Sequence, residues 1–188
     1  MSVARLKIAA ALVLTGPVVP MLFQGEEWGA TSPFLYFTDH KDPQLARNVT
    51  EGRRREFASF GWKPDEVPDP QAVETFERSK LNWTERDKEP HAGLLAWHRR
   101  LIELRPKIPS LSDGRLDKVG VRFDENGKWL VVKRGPVVVA CNLNQVTQRV
   151  PVDIDPASRL LLTSADKVQL SQNTVELTAD SVAILSVH

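Results

Sequence analysis

The chain has 188 residues, with 25 lysines and arginines against 24 aspartates and glutamates, so it is nearly neutral at +1. Apolar residues make up 41% and charged residues 26%, a globular balance that excludes a disordered or fibrous chain, while the small net charge gives no bulk attraction to nucleic acid or anionic membrane. The length suits one ordinary domain or two small ones and falls short of the ~250 residues of a complete eight-fold β/α barrel. A lone cysteine, Cys141, excludes an intrachain disulfide and a cysteine-built metal site and fits a reducing cytoplasm.

Arg5 and Lys7 followed by the apolar run Ile8 to Leu14 imitate a signal peptide. No A-x-A-like cleavage site follows, and the run is too short for the ~20 residues that span a bilayer. The segment reads instead as a buried helix, Val3 to Leu14, stopped by Gly16 and Pro17. Val18 to Phe23 is a continuous apolar stretch of the kind found in strands buried on both faces, as in parallel sheets. The loop Gln24 to Gly29 would then lie at the carboxyl end of that strand, the edge where α/β folds bind ligands.

Pro43 to Phe60 reads as a helix, with Leu45, Val49, Phe57 and Phe60 near one face and Gly61 as its terminator. Its Arg53-Arg54-Arg55 run is flanked by Glu51 and Glu56, which makes a salt-bridged surface a better reading than a phosphate site. Lys63 to Gln71, with three prolines, is a loop, and Glu74 to Trp83 is partly helical. Ala92 to Arg105 is a second amphipathic helix, its apolar face built from Leu94, Leu95, Leu101, Ile102 and Leu104, with Pro106 and Pro109 ending it.

Past a boundary near Leu111 the pattern becomes β. Runs at Val119 to Phe123, Lys128 to Lys133, Val137 to Asn142, Arg149 to Asp153, Leu160 to Thr163, Val175 to Leu177 and Val182 to Val187 are short strands. Asn126-Gly127 reads as a two-residue hairpin turn and Arg134-Gly135-Pro136 as another turn. Such spacing predicts an antiparallel sandwich or partial barrel. Before Leu111, however, a single parallel-type strand has no neighbours, so the first part resembles the end of something larger.

Glu26, Glu27, Trp28, Phe34, Tyr36, Phe37, Asp39 and His40 lie within fifteen positions. Carboxylates interleaved with aromatics suit carbohydrate, because sugars need fixed hydrogen-bond acceptors and flat apolar faces. The alternative is that Trp28, Phe34 and Phe37 pack in a core while the acids cap a helix or pair with the arginines. Glycoside hydrolysis uses two carboxyl groups ~5–5.5 Å apart when configuration is retained; adjacent residues on an extended chain face opposite ways, so Glu26 and Glu27 do not make that pair by themselves. The four histidines, His40, His91, His98 and His188, form no spaced ligand set, and HExxH, G-x-S-x-G and GxxxxGK[ST] are absent. Cys141, inside an apolar strand, reads as a small buried residue rather than a nucleophile.

Pro20-Met21-Leu22-Phe23-Gln24-Gly25-Glu26-Glu27-Trp28-Gly29, followed by Phe34-Leu35-Tyr36-Phe37-Thr38-Asp39-His40, closely resembles the end of the catalytic barrel in malto-oligosyltrehalose trehalohydrolases, members of the α-amylase family. Glu51 to Phe57, Thr75 to Trp83 and Trp97 to Arg105 extend the resemblance over the whole chain. The resemblance implies the C-terminal end of a (β/α)₈ barrel over residues 1–110, with Val3 to Leu14 as its seventh helix, Val18 to Phe23 as its eighth strand and Ala92 to Arg105 as its last helix. An antiparallel β-sandwich domain over residues 111–188 would follow.

It also implies hydrolysis of the α-1,4 bond next to a terminal trehalose unit, without metal or organic cofactor. The family's catalytic carboxylates come from earlier strands, and no Asn-His-Asp occurs here, so no catalytic residue is assigned and the chain alone is expected to be inactive. Glu26, Glu27, Trp28, Phe34, Tyr36, Asp39 and His40 are expected to line or brace the substrate cleft, with Arg78 and Lys80 as secondary candidates for which surface ion pairing is an equal alternative. The expected partners are an α-glucan or malto-oligosyltrehalose substrate and the missing barrel segment. Rival readings are another α-amylase relative, such as a glucan branching enzyme, and a non-catalytic α-glucan-binding or interaction module.

Overall fold

The computed structural model describes residues 1–187, a helical N-terminal part followed by antiparallel sheets. The helices are α1 (Val3–Thr15), α2 (Pro43–Ala58), α3 (Val73–Ser79), α4 (His91–Lys107) and the single turn α5 (Pro109–Ser112). The strands are β1 (Val119–Asp124), β2 (Trp129–Arg134), β3 (Val137–Asn142), β4 (Gln148–Pro151), β5 (Arg159–Thr163), β6 (Val168–Ser171), β7 (Thr174–Leu177) and β8 (Ser181–Ser186). Two compact units result: a larger one from residues 1–29 and 86–187, and a smaller one, Ala30–Glu85.

In the larger unit a five-stranded sheet, ordered β1-β2-β3-β8-β5, faces a three-stranded sheet, β4-β7-β6, and every pairing is antiparallel. The central strands β3 and β8 are covered on both sides. Val137, Val139 and Cys141 share one core with Val182, Ile184 and the apolar faces of α1 and α4. Val138 and Ala140 point the other way, into a second core with Val150, Val175 and Leu177 of the small sheet. The period-two alternation of a strand thus feeds two cores at once, which is why β3 reads as an unbroken apolar run.

Helix α1 begins at Ser2, whose hydroxyl accepts from the Arg5 amide at 3.3 Å. Its far end is closed by two guanidinium groups from distant sequence. Arg105 donates to the carbonyls of Leu14, Gly16 and Val18. Arg134, itself buried, donates to those of Thr15, Leu111 and Asp113. The last carbonyls of a helix lack intrahelical donors and carry partial negative charge, so both cations satisfy the hydrogen bonds and suit the dipole.

Several sequence expectations change. Val18 to Phe23 forms no strand: Val19 is 92% and Met21 84% exposed. A strand needs a ladder partner, and none of the described residues offers one here. Asn126-Gly127 is not a two-residue turn. The β1–β2 loop runs over four residues, from Asp124 to Trp129, with the left-handed position at Lys128 (φ 52) and the Asp124 carboxylate accepting from the Gly127 amide at 2.8 Å. The tight two-residue hairpin is at Gly135-Pro136, where Gly135 takes φ 58 and proline follows. Pro106 lies inside the last turn of α4, and Pro109 opens α5 rather than ending helical structure. The strand β6 was not expected, although Val168 and Leu170 alternate there with Gln169 and Ser171.

The smaller unit is organised differently. Asp42 caps α2, accepting from the amides of Gln44 and Leu45, and those amides hold its carboxyl below the ordinary aspartate value, Leu45 first. The expected apolar face of α2 is largely in solvent: Leu45 and Phe60 are exposed, and the buried residue of that helix is Thr50. Thr50 donates to the Asp69 carboxylate at 2.8 Å, and Thr75 donates to the Asp69 carbonyl at 2.6 Å. Glu85 accepts from both the amide (2.9 Å) and the hydroxyl (2.7 Å) of Thr31, joining the two ends of the unit.

Candidate functional site

Glu26–Trp28 is a single 3₁₀ turn between two left-handed glycines, Gly25 and Gly29. The Glu26 carboxylate accepts from the Phe23 amide at 3.0 Å, so it fastens the entry to its own turn. His91, in the first turn of α4, donates from Nδ1 to the Trp28 carbonyl at 2.8 Å. Trp28 is buried, Glu26 is exposed and Glu27 is half-buried. The segment is a turn and not an extended chain, and its two carboxylates differ because three residues per turn send successive side chains a third of a turn apart.

The other proposed cleft residues belong to the smaller unit. Gln71 clamps Thr38 and His40: its Oε1 accepts from the Thr38 hydroxyl (2.8 Å) and the His40 amide (3.1 Å), and its Nε2 donates to the His40 carbonyl (3.2 Å). Asp39 is exposed between them and pairs with Lys41 at 2.7 Å. Phe34, Phe37 and Phe76 make a chain of edge-to-face contacts, with centroids 6.2 and 5.1 Å apart. Lys80 pairs with Glu77 at 2.7 Å and lies 4.6 Å from the Phe76 centroid, and Arg78 is exposed.

One cluster was not foreseen. The Arg53 guanidinium lies 4.9 Å from the Tyr36 ring centre and 4.6 Å from that of Phe57 and bonds Glu56 at 2.9 Å; Arg55 reaches Glu51 at 3.9 Å. The salt-bridged reading of the arginine run therefore holds, but one of its members is also part of an aromatic cluster. Phe57 and Trp62 meet edge to face at 5.2 Å. The signal was in the sequence: an aromatic, three residues, glycine and a second aromatic match the glycine-ended helix motif in which the flanking apolar residues touch.

No group of three or more His, Cys, Asp or Glu among the described residues is arranged to hold a metal. Cys141 is buried, and burial pushes its thiol up to about 12 from the ordinary 9.0, which removes thiolate reactivity. His188 lies outside the described residues. No helix among the described residues is long and apolar enough to cross a membrane.

Residues 114–184 match a family described as "Domain of unknown function (DUF3459)". Over 181 residues, 96% of its length, the chain is 44% identical to a malto-oligosyltrehalose trehalohydrolase of Mycobacterium tuberculosis. It is homologous to the C-terminal region of malto-oligosyltrehalose trehalohydrolases, in the α-amylase family. The trehalohydrolase of a Rhizobium species is 45% identical over the same length, and that of Saccharolobus solfataricus is 40% identical over 68% of the chain. The chain spans 30% of the length of the first two of these trehalohydrolases.

Among solved structures, an alpha amylase candidate from Salmonella typhimurium matches 97% of the chain and 30% of its own, at 36% identity and a TM-score of 0.77. An isomaltulose synthase from Klebsiella matches 98% of the chain and 38% of its own at a TM-score of 0.63, with only 16% identity, and therefore shares the fold alone. The chain thus aligns with the C-terminal region of α-amylase family enzymes.

Proposed function

We propose that this chain is the C-terminal part of an enzyme that releases trehalose from malto-oligosyltrehalose by hydrolysing the α-1,4 bond next to the trehalose end. The observation that carries the reading is identity of 44% to a trehalohydrolase across nearly the whole chain. In this reading residues 1–110 close the catalytic barrel and residues 111–188 form its β domain. The two carboxyl groups of a retaining mechanism come from the rest of the enzyme, and this chain contributes side chains that meet the substrate.

Each of the two units offers its own candidate contacts. Glu26 and Glu27 offer hydrogen-bond acceptors on a turn fixed by the Phe23 amide and by His91. Phe34 and Tyr36 offer exposed aromatic side chains, and Asp39 with His40 sits on a strap held by Gln71. A turn whose backbone is fixed before substrate arrives loses little freedom on binding, which favours affinity.

Product analysis of the full enzyme tests the reading. Trehalose is the expected product, with no new α-1,6 links. New α-1,6 links without trehalose would replace this reading with a glucan branching enzyme. The purified 188-residue chain is expected to release no trehalose, and release by that chain, with contaminating enzyme excluded, would overturn the assignment of the carboxylates elsewhere.

A further inference from the structure

The cluster of Tyr36, Arg53, Phe57 and Trp62 is a built feature. Phe57 lies near the end of α2, and Gly61 takes φ 83. The Trp62 amide donates back to the Phe57 carbonyl at 3.2 Å, and the Gly61 amide donates to that of Ala58 at 3.0 Å. These are the two hydrogen bonds of the Schellman helix end, which brings the residue after the glycine against the one five positions earlier. The Phe57–Trp62 ring contact is that approach. Trp62 is therefore held by backbone geometry and yet remains 47% exposed, as does Tyr36.

Between them the rings and Arg53 line a shallow pocket of about 150 Å³, closed below by Val67 and Pro68. Enclosing sites for small molecules run to ~300 Å³ and above, so this one suits a single flat face rather than a whole ligand. Its chemistry is mixed. Aromatic rings favour apolar C–H surface, while the Arg53 guanidinium and the Glu56 carboxylate bonded to it need hydrogen-bonding partners or water. An apolar protein surface laid over the cluster would desolvate both charges. A pyranose ring meets both demands, with a C–H face for the rings and hydroxyls for the ions.

We propose that Tyr36, Arg53 and Trp62 form a sugar-binding platform on the smaller unit that takes one glucose residue of an α-1,4-glucan chain, apart from the bond-cleaving step. The choice of α-glucan rests on the functional reading above.

The test is titration of the 188-residue chain with maltoheptaose, followed by calorimetry. Binding is expected in the millimolar range. Trp62→Ala is expected to weaken it about tenfold or more, the loss of one good ring contact, and Tyr36→Ala to weaken it similarly should Trp62→Ala fail to fold. Trp83→Ala, at another exposed tryptophan of the same unit, is expected to leave affinity within about twofold, since it lies outside the cluster.

Absence of binding, or binding unchanged by Trp62→Ala and Tyr36→Ala, would overturn the platform. Equal affinity for cellohexaose would overturn the α-glucan assignment. Trehalose release by the full enzyme is read separately: trehalose without maltoheptaose binding removes the platform alone, and maltoheptaose binding without trehalose removes the functional reading alone.

Discussion

The two units solve the folding problem in opposite ways. The larger unit is built on two apolar cores that share the strands β3 and β8, with Val139, Ala140, Cys141, Val182 and Ile184 wholly removed from solvent. The smaller unit is stitched by polar side chains, bonded to backbone and to one another: Thr50 and Thr75 on Asp69, Gln71 on Thr38 and His40, Ser79 on Leu35, and Thr31 on Glu85. Short segments bury too small a fraction of their surface to fold on apolar burial alone. A unit held by hydrogen bonds can leave aromatic rings in solvent, and Phe34, Tyr36, Phe60, Trp62 and Phe76 are all exposed. The first unit is suited to stability and the second to presenting ring faces.

Substitutions that strike one scheme and spare the other sharpen this contrast. Val139→Asp places an unpaired carboxylate inside the core that β3 and β8 share with α1 and α4. It is expected to abolish cooperative unfolding of the larger unit, a loss above ~4 kcal/mol, measured by urea denaturation. Val19→Asp, on an equally apolar residue that is 92% exposed, is expected to change stability by less than ~0.5 kcal/mol. A large effect at position 19 would mean that the segment is covered.

Arg134→Met removes the donors from the carbonyls of Thr15, Leu111 and Asp113. A loss of ~2–3 kcal/mol is expected in the larger unit, and amide exchange should show the C-terminal turn of α1 opening first. Gly61→Ala forces a side chain into φ 83, costing ~1–2 kcal/mol, with the effect confined to exchange protection in the smaller unit. Equal loss of protection in both units would break the comparison.

Cys141 gives a pH test of the larger unit. Its thiol is raised by burial to about 12 in the fold, against an ordinary 9.0, so the folded state keeps a proton that the unfolded chain releases. The stabilisation linked to this group is complete below pH 9.0 and declines as pH rises toward about 12, by up to ~1.4 kcal/mol per unit. Cys141→Ala should flatten that decline. In the native chain the thiol should resist alkylation at mildly alkaline pH and react once denaturant is added.

Much of the fold was legible because its elements follow local rules. The β3 boundaries fall where the apolar run does, at Val137 and Asn142, and α4 keeps its expected Leu94 and Leu101 face. Val18 to Phe23 shows the limit of such reading. Its composition resembles that of β3, but composition records what a segment is suited to pack against, and strand formation also needs hydrogen-bonding neighbours. The apolar residues of α2 misled for the same reason: periodicity marks a face without saying what covers it.

At the candidate site, the residue types in Glu26 to His40 were visible in the sequence, whereas the clamp by Gln71 and the stacking of Arg53 with Tyr36 were not. Both join residues 17 to 33 positions apart, a separation at which no periodic pattern speaks.

The most direct test of the functional account is a chimera in which this chain replaces the matching C-terminal region of the Mycobacterium tuberculosis trehalohydrolase, assayed for trehalose released from malto-oligosyltrehalose. The account predicts that the chimera releases trehalose and that the chain by itself releases none. A chimera that folds, binds the substrate and releases no trehalose would contradict it.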